Sequence, residues 1–302
     1  MSKNTAMKRR NLIKYSFLFI TGCTASTSAI NNGSEQSSKL PKALKFAVTD
    51  VTGIEDLKRD FGEFCTVLEA ILGIKIELFP VENPTAAAPA LLSGNLDIAF
   101  AGPSEYLILH SRAKAVPVVG VKRKNYHPIF VVRADSNIKT LDQLKGKTIA
   151  MRKIGSTSGH IAPTSLLIEA GLDPKTDFKT VMLDNKGGKA LKTGEVDAWA
   201  LSSDRYKNVL ESEGLLDTDF KIILKGPELP SDVFVVSNQL ASSFVENLRS
   251  QMLKNQDKLI QSMVTAQANR KYVGSQMTIA NDADYNMIRE VYQKIGQDSF
   301  LK

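Results

Sequence analysis

Gly155-Ser156-Thr157-Ser158-Gly159 places three consecutive hydroxyls between two glycines, just ahead of apolar residues at helical spacing: Ile161, Leu166, Leu167 and Ala170. A helix starting here leaves N–H groups unpaired at its N-terminus. They carry partial positive charge and point outward, which suits an anion. The hydroxyls add donors on the same turn, and the glycines let backbone approach a ligand closely. A tetrahedral oxyanion can be held this way with little or no cationic side chain. An ordinary Ser-rich N-cap with solvated hydroxyls has the same local pattern.

Two further stretches bear on what faces this turn. Ser93 to Tyr106 reads SGNLDIAFAGPSEY, and Thr193 to Tyr206 reads TGEVDAWALSSDRY. Each copy predicts a helix ending at Ser/Thr-Gly, a strand opened by Asp97 or Asp197, and a polar turn that starts the next helix. In open α/β sheets a ligand is met beyond the carboxyl ends of the strands, where these turns lie. Phe100 and Trp199 lie inside the two apolar runs and are expected in the core.

The elements that must position these turns alternate along the chain. Strand-like runs are expected at Leu44–Asp50, Ile74–Val81, Asp97–Ala101, Val116–Val121, Ile129–Arg133, Thr148–Met151, Phe178–Leu183, Asp197–Leu201, Lys221–Leu224 and Val233–Ser237, with helical patterns between most of them. The alternation predicts an α/β architecture with largely parallel sheets. Ile129–Ser136 (IFVVRADS) echoes Val233–Leu240 (VFVVSNQL). The two look like paired strands that carry the chain between two lobes and back. Lobe 1 is then 43–130 plus 233–302, and lobe 2 is 131–232. Helical patterns at Ala241–Met263 and Ala283–Ile295 read as packing elements.

The chain has 302 residues and a formal charge of +7. Five of the positive charges (Lys3, Lys8, Arg9, Arg10, Lys14) fall in the first 22 residues, which hold no acid, so about +2 remains for the rest. That balance argues against a polyanion partner, and Lys122–His127 (KRKNYH) reads as a solvated loop rather than a nucleic-acid contact. The N-terminus has a basic region, a short apolar run at Tyr15–Ile20 and then Ile20-Thr21-Gly22-Cys23, which resembles the lipobox of bacterial lipoproteins. Arg9–Lys14 (RRNLIK) also resembles a twin-arginine export signal. Residues 1–22 are therefore expected to be a signal peptide, with Cys23 lipidated and 23–42 a flexible tether. Cys65 is then the remaining cysteine, expected as a small core residue.

Catalysis would need a base beside Ser156 or Ser158. His160 is close in sequence but has no carboxylate placed to orient it, and His110 and His127 read as a surface helix residue and a turn residue. No metal-ligand spacing occurs, and no cofactor is expected.

Leu144–Lys179, Ser93–Tyr106 and Phe130–Leu144 together make the chain similar to the phosphonate/phosphite/phosphate substrate-binding proteins of ABC transporters, of the type II periplasmic-binding-protein fold. The resemblance implies a two-lobed fold with hinge strands, closing on a small phosphorus oxyanion. It implies that Ser156, Thr157 and Ser158 hold the oxyanion, that Tyr106 comes from the facing lobe, and that Ser202–Tyr206 supplies a further ligand region, with Ser203, Asp204 and Tyr206 as its candidates. Phosphite or methylphosphonate is favoured. Phosphate and 2-aminoethylphosphonate are alternatives, the latter through an Asp204–ammonium pair, and a serine-dependent phosphoester hydrolase is the more distant one. The implied setting is a periplasmic monomer, lipid-anchored and delivering to an inner-membrane permease, with no nucleic-acid partner. The sequence departs from the family in three places. Leu183–Leu191 lacks a His that often touches the oxyanion, leaving Lys186 or Lys189 as substitutes or solvated residues. Asn83-Pro84 replaces a common Tyr. Lys153 stands where an acid or Pro is usual.

Overall fold

Central strands buried on both faces build two open sheets. The computed structural model describes residues 41–83 and 86–301. The expected signal peptide, Cys23, nearly all of the tether and Pro84 lie outside them. The strands are β1 Ala43–Val48, β2 Lys75–Leu78, β3 Ile98–Ala101, β4 Val116–Lys122, β5 Pro128–Arg133, β6 Thr148–Met151, β7 Lys179–Met182, β8 Ala198–Ser202, β9 Phe220–Lys225, β10 Asp232–Val236 and β11 Gln276–Ile279. The helices are α1 Ile54–Leu72, α2 Ala87–Leu92, α3 Pro103–Ala113, α4 Ala162–Glu169, α5 Gly187–Thr193, α6 Ser203–Glu213, α7 Ser242–Lys254, α8 Gln256–Met263 and α9 Asn286–Lys294.

One sheet runs β11-β4-β10-β3-β1-β2 and the other β7-β6-β8-β5-β9. Both are mixed. Their parallel cores, β2-β1-β3 and β7-β6-β8, are each extended by a strand antiparallel to its neighbours, β10 in the first sheet and β5 in the second. The echo between Ile129–Ser136 and Val233–Leu240 thus marks equivalent places in two sheets. The two segments do not pair with each other, contrary to the reading of the sequence: β5 lies between β8 and β9, and β10 between β3 and β4.

Period-two alternation gives each sheet a core on both faces. In the first, Phe46, Phe100 and Phe234 point to one side, and Ala47, Ala99 and Val235 to the other. Phe100 and Phe234 stack with centroids 4.3 Å apart. In the second, Trp199 and Leu201 face one cluster, and Ala198 and Ala200 the other. Phe100 and Trp199 are core residues as expected, and Cys65 is buried beside Phe61 and Leu68.

The chain crosses between sheets at 123–127 and 226–231, because β5 belongs whole to the second sheet. Of the terminal helical patterns, Ala241–Met263 breaks at Asn255, whose side-chain amide donates back to the Gln251 carbonyl. The edge strand β11 is missing from the sequence reading: Gln276-Met277-Thr278-Ile279 alternates polar and apolar, but over only four residues, of which Met277 alone is buried.

Candidate functional site

The repeated Asp residues do the same job in each lobe. Asp97 accepts the Lys45 N–H at 2.8 Å and Asp197 accepts the Thr148 N–H at 2.9 Å, each tying the start of its strand to the neighbouring parallel strand. The following turns therefore emerge at the same edge of their sheets. From these turns α3 and α6 start, directed at the cleft.

Facing α3 is the Ser-Thr-Ser turn. Gly155 sits at φ +85°, and Gly159 lies under the Arg152 stem, where a Cβ would meet the Arg152 Cγ at 2.6 Å. A π-helical turn over Thr157–Ile161 leads into α4. The Ser156 carbonyl takes the His160 and Ile161 N–H groups, so the amides of Thr157, Ser158 and Gly159 precede the helix's own ladder. Across the seam the Ser104 N–H donates to Thr157 Oγ1 at 3.0 Å, the two hydroxyls lie 2.7 Å apart, and Ser104 Oγ donates to the Gly155 carbonyl at 2.5 Å. Two helix N-termini, one from each lobe, thus converge on one point, and their dipoles favour negative charge there.

Ser156 and Thr157 line a cavity of about 240 Å³ between the lobes. Its other walls are charged. Asp50, just after β1, is approached by three cations of the other lobe: Arg152 at 3.5 Å, Arg205 at 3.4 Å and Lys153 at 3.7 Å. Burial pushes the Asp50 carboxyl up, but these cations and Lys271 outweigh it and hold it well below the usual carboxylate range. Arg152 also pairs with Asp184 at 2.7 Å. Arg205 has no carboxylate nearer than Asp50, and burial and then the Arg152 charge lower its pKa. On Lys271, burial first and then the Arg205 and Arg123 charges bring the ammonium down to about 7. Arg205 and Lys271 come from opposite lobes, so closing the cleft sets two like charges together, a cost that an anion between them would offset.

Arg123, in the first crossing, is bound to Asp204 through Nε at 2.6 Å and through Nη2 at 2.8 Å, and to Asp232 at 3.2 Å. Its guanidinium lies 3.6 Å from the Tyr126 ring centroid. Tyr272 donates to Asp232 at 2.6 Å.

Of the residues chosen from sequence, Ser156 and Thr157 line the cavity, and Ser158 stands one step behind them, hydrogen-bonded to Tyr126, which does line it. Tyr106 does not reach the cleft. It is fully buried beneath α3, donating to Asp282 at 2.6 Å with its ring 4.4 Å from that of Tyr285. Tyr206 likewise packs beneath α6 against Trp199, and Ser203 binds the Asn125 carbonyl. The Asp204 side chain is 5% exposed and already paired with Arg123. In each copy of the repeat the residue before the Tyr, Glu105 or Arg205, is the one that faces the cavity. Lys186 and Lys189 are exposed on the far side of their turn, while Asp184 and Asn185 face the cleft. Lys122–His127 is no solvated loop throughout: Arg123 is 4% exposed and Tyr126 3%. The sign available in the sequence was position, since these residues lie between two sheets. His160 Nδ1 accepts the Gly155 N–H at 3.1 Å, and burial lowers its pKa. Among the described residues no group of His, Cys, Asp and Glu could hold a metal ion.

Residues 46–285 match the family described as "ABC transporter, phosphonate, periplasmic substrate-binding protein". The chain is 23% identical to the phosphate-import protein PhnD of Mycolicibacterium smegmatis, covering 91% of this chain and 94% of that one. Among solved structures it is similar to PhnD1 from Prochlorococcus marinus in complex with methylphosphonate (TM-score 0.69, 23% identity, 85% of this chain and 100% of that one). It is also similar to XAC2383 from Xanthomonas citri bound to ATP (TM-score 0.70, 18% identity, 86% and 98%). The two-sheet α/β architecture is the type II periplasmic binding fold. With a matched region that spans both sheets and both crossings, the chain belongs to the phosphonate family of extracytoplasmic substrate-binding proteins of ABC transporters, which bind a small ligand for an ABC permease.

Proposed function

We propose that this protein captures a small phosphorus oxyanion, phosphite or methylphosphonate first among them, at the Ser156–Ser158 turn, and that the two lobes close over it. One observation carries the reading. The Ser-Thr-Ser turn and the α3 N-terminus meet across the cleft at Ser104–Thr157, a contact that joins the two lobes beside the turn's leading backbone amides, and those amides supply the donors for an oxyanion in this reading. The modest cavity suits a head group with a hydrogen or methyl substituent. Arg123 already occupies Asp204, the carboxylate that the sequence offers to the ammonium of 2-aminoethylphosphonate. Ser158 is engaged by Tyr126, and His160 Nδ1 by the Gly155 amide, so no serine–histidine pair supports a hydrolytic step. Cys23 lipidation would hold the body at the membrane surface beside its permease.

Thermal melting with phosphite, methylphosphonate, phosphate, 2-aminoethylphosphonate and sulfate tests the reading. A ligand at 100 times its Kd stabilises the folded state by about 2.7 kcal/mol. Phosphite and methylphosphonate are expected to raise the melting temperature most, and 2-aminoethylphosphonate and sulfate least. Equal shifts with all five, or none, would contradict the assignment.

A further inference from the structure

The counter-charges in the walls of the cleft are not shared evenly. Arg59 holds Asp56 at 2.6 Å and Asp60 at 2.8 Å, and Arg123 holds both Asp204 and Asp232. Arg152, Lys153, Arg205 and Lys271 are left with Asp50 and Asp184 between them. Glu105 is turned to Ser104 Oγ at 2.9 Å and takes part in no ion pair among the described residues. Of the four cations, Arg152 has Asp184 at 2.7 Å, and Lys153 donates to the Asp50 carbonyl at 3.1 Å. The other two are the least served. Arg205, its side chain 15% exposed, reaches Asp50 through Nη2 at 3.4 Å, the long end of a hydrogen bond. Lys271 is half-buried and takes part in no ion pair among the described residues, its ammonium lying 4.8 Å from the Tyr272 ring centroid.

These two cations also share a place. Both line the cavity of about 240 Å³ that Ser156 and Thr157 line, and both line a second cavity of about 330 Å³ that neither Ser156 nor Thr157 lines. Arg205 and Lys271 therefore stand at the junction of the two, whereas the Arg152 stem lies against Gly159 of the Ser-Thr-Ser turn. Past the junction the second cavity is walled by neutral side chains such as Asn208, Ser212 and Gln267, and its one acid, Asp60, is held by Arg59. Two half-buried like charges repel, and an anion placed between them relieves that repulsion. A guanidinium offers paired N–H groups that match the two oxygens of a carboxylate, and an ammonium from the opposite lobe can reach the same group.

Resting on the phosphorus-oxyanion reading, we propose that Arg205 and Lys271 form a second anion subsite, and that the protein takes phosphonates carrying a carboxylate on a short chain. The phosphorus group lies at the Ser156–Ser158 turn and the carboxylate between the two cations at the junction. Methylphosphonate fills the first subsite only. Because Arg205 and Lys271 belong to opposite lobes, the carboxylate favours the closed form over the open one.

The experiment is calorimetric titration at pH 6, where Lys271 is charged. Phosphonoacetate and 3-phosphonopropionate are each compared with the alkylphosphonate of the same length, ethylphosphonate and propylphosphonate, and methylphosphonate reports on the first subsite. At least one carboxylate-bearing ligand is expected to bind about tenfold or more tighter than its alkyl counterpart, the scale of one partly buried charge pair. In Arg205→Gln and in Lys271→Met that ratio should fall below about threefold, and a general loss of affinity cancels because each ratio is taken within one variant. If Arg205→Gln does not fold, the ratio in Lys271→Met decides. Equal binding within both pairs, or a ratio kept in either folded variant, would overturn the second subsite; methylphosphonate binding would then leave the oxyanion site standing. No binding of any of the five ligands would overturn both.

Discussion

Arg123 shows how much one side chain can decide at the bottom of this cleft. Burial disfavours its charge, but Asp204 and Asp232 outweigh this and raise its pKa well above the usual value. Removing one partner of a buried, hydrogen-bonded pair leaves a charge uncompensated and costs about 3–5 kcal/mol. Asp204→Ala is therefore expected to lower unfolding stability by about 3 kcal/mol, the lower end because Asp232 remains, as measured by urea denaturation. A loss under 1 kcal/mol would show that the pair is not held as described. Lys271 is expected to act in the opposite sense. Half-buried beside Arg205 with its ammonium titrating at about 7, it lowers the stability of the empty protein wherever it is charged. Lys271→Met should raise the melting temperature without ligand and weaken anion binding, and a lower melting temperature would contradict this account.

At the scale of elements, the repeat was legible and its consequence only half so. Asp97 and Asp197 were read as strand openers, and the structure gives both the same carboxylate-to-amide bond. Each satisfies a backbone donor of the neighbouring parallel strand, worth about 1–2 kcal/mol. Asp97→Ala and Asp197→Ala are expected to cost similar amounts by chemical denaturation, with a difference above 1 kcal/mol contradicting the equivalence. The sequence points the Tyr closing each copy toward the ligand, whereas the turn of the helix carries it beneath and brings its predecessor to the cleft. Hydroxyl, Asp and Tyr recur in both copies. Glu105 and Arg205, which face the cavity, have opposite charge, so searching for similarity passed over them. The Ser-Thr-Ser turn was legible because its donors belong to one local stretch. Arg123, Asp50 and Lys271 were not, because their meaning depends on two sheets meeting, and no local pattern encodes that.

The whole molecule carries its charge where closure can feel it. Glu105 titrates above its ordinary value, so the folded state binds more protons than the unfolded chain between about pH 4.5 and 7, and its contribution to stability falls as pH rises through that window. Asp50 is held low, so its contribution is present above its ordinary pKa near 3.8 and is lost as pH falls below that. Lys271, held at about 7, adds stability as pH rises from there toward 10.5. Without ligand, stability is therefore expected to decline from pH 5 to 7, and this decline should be reduced in Glu105→Gln, as followed by thermal melting. A wild-type profile identical to that of the variant would remove Glu105 from the account. The central claim is that the Ser156–Ser158 turn holds a phosphorus oxyanion between the lobes. Its most direct test is calorimetric titration of methylphosphonate into the protein and into Thr157→Ala. The account predicts saturable binding that weakens at least tenfold in the variant, while undiminished binding in Thr157→Ala would place the anion elsewhere and contradict it.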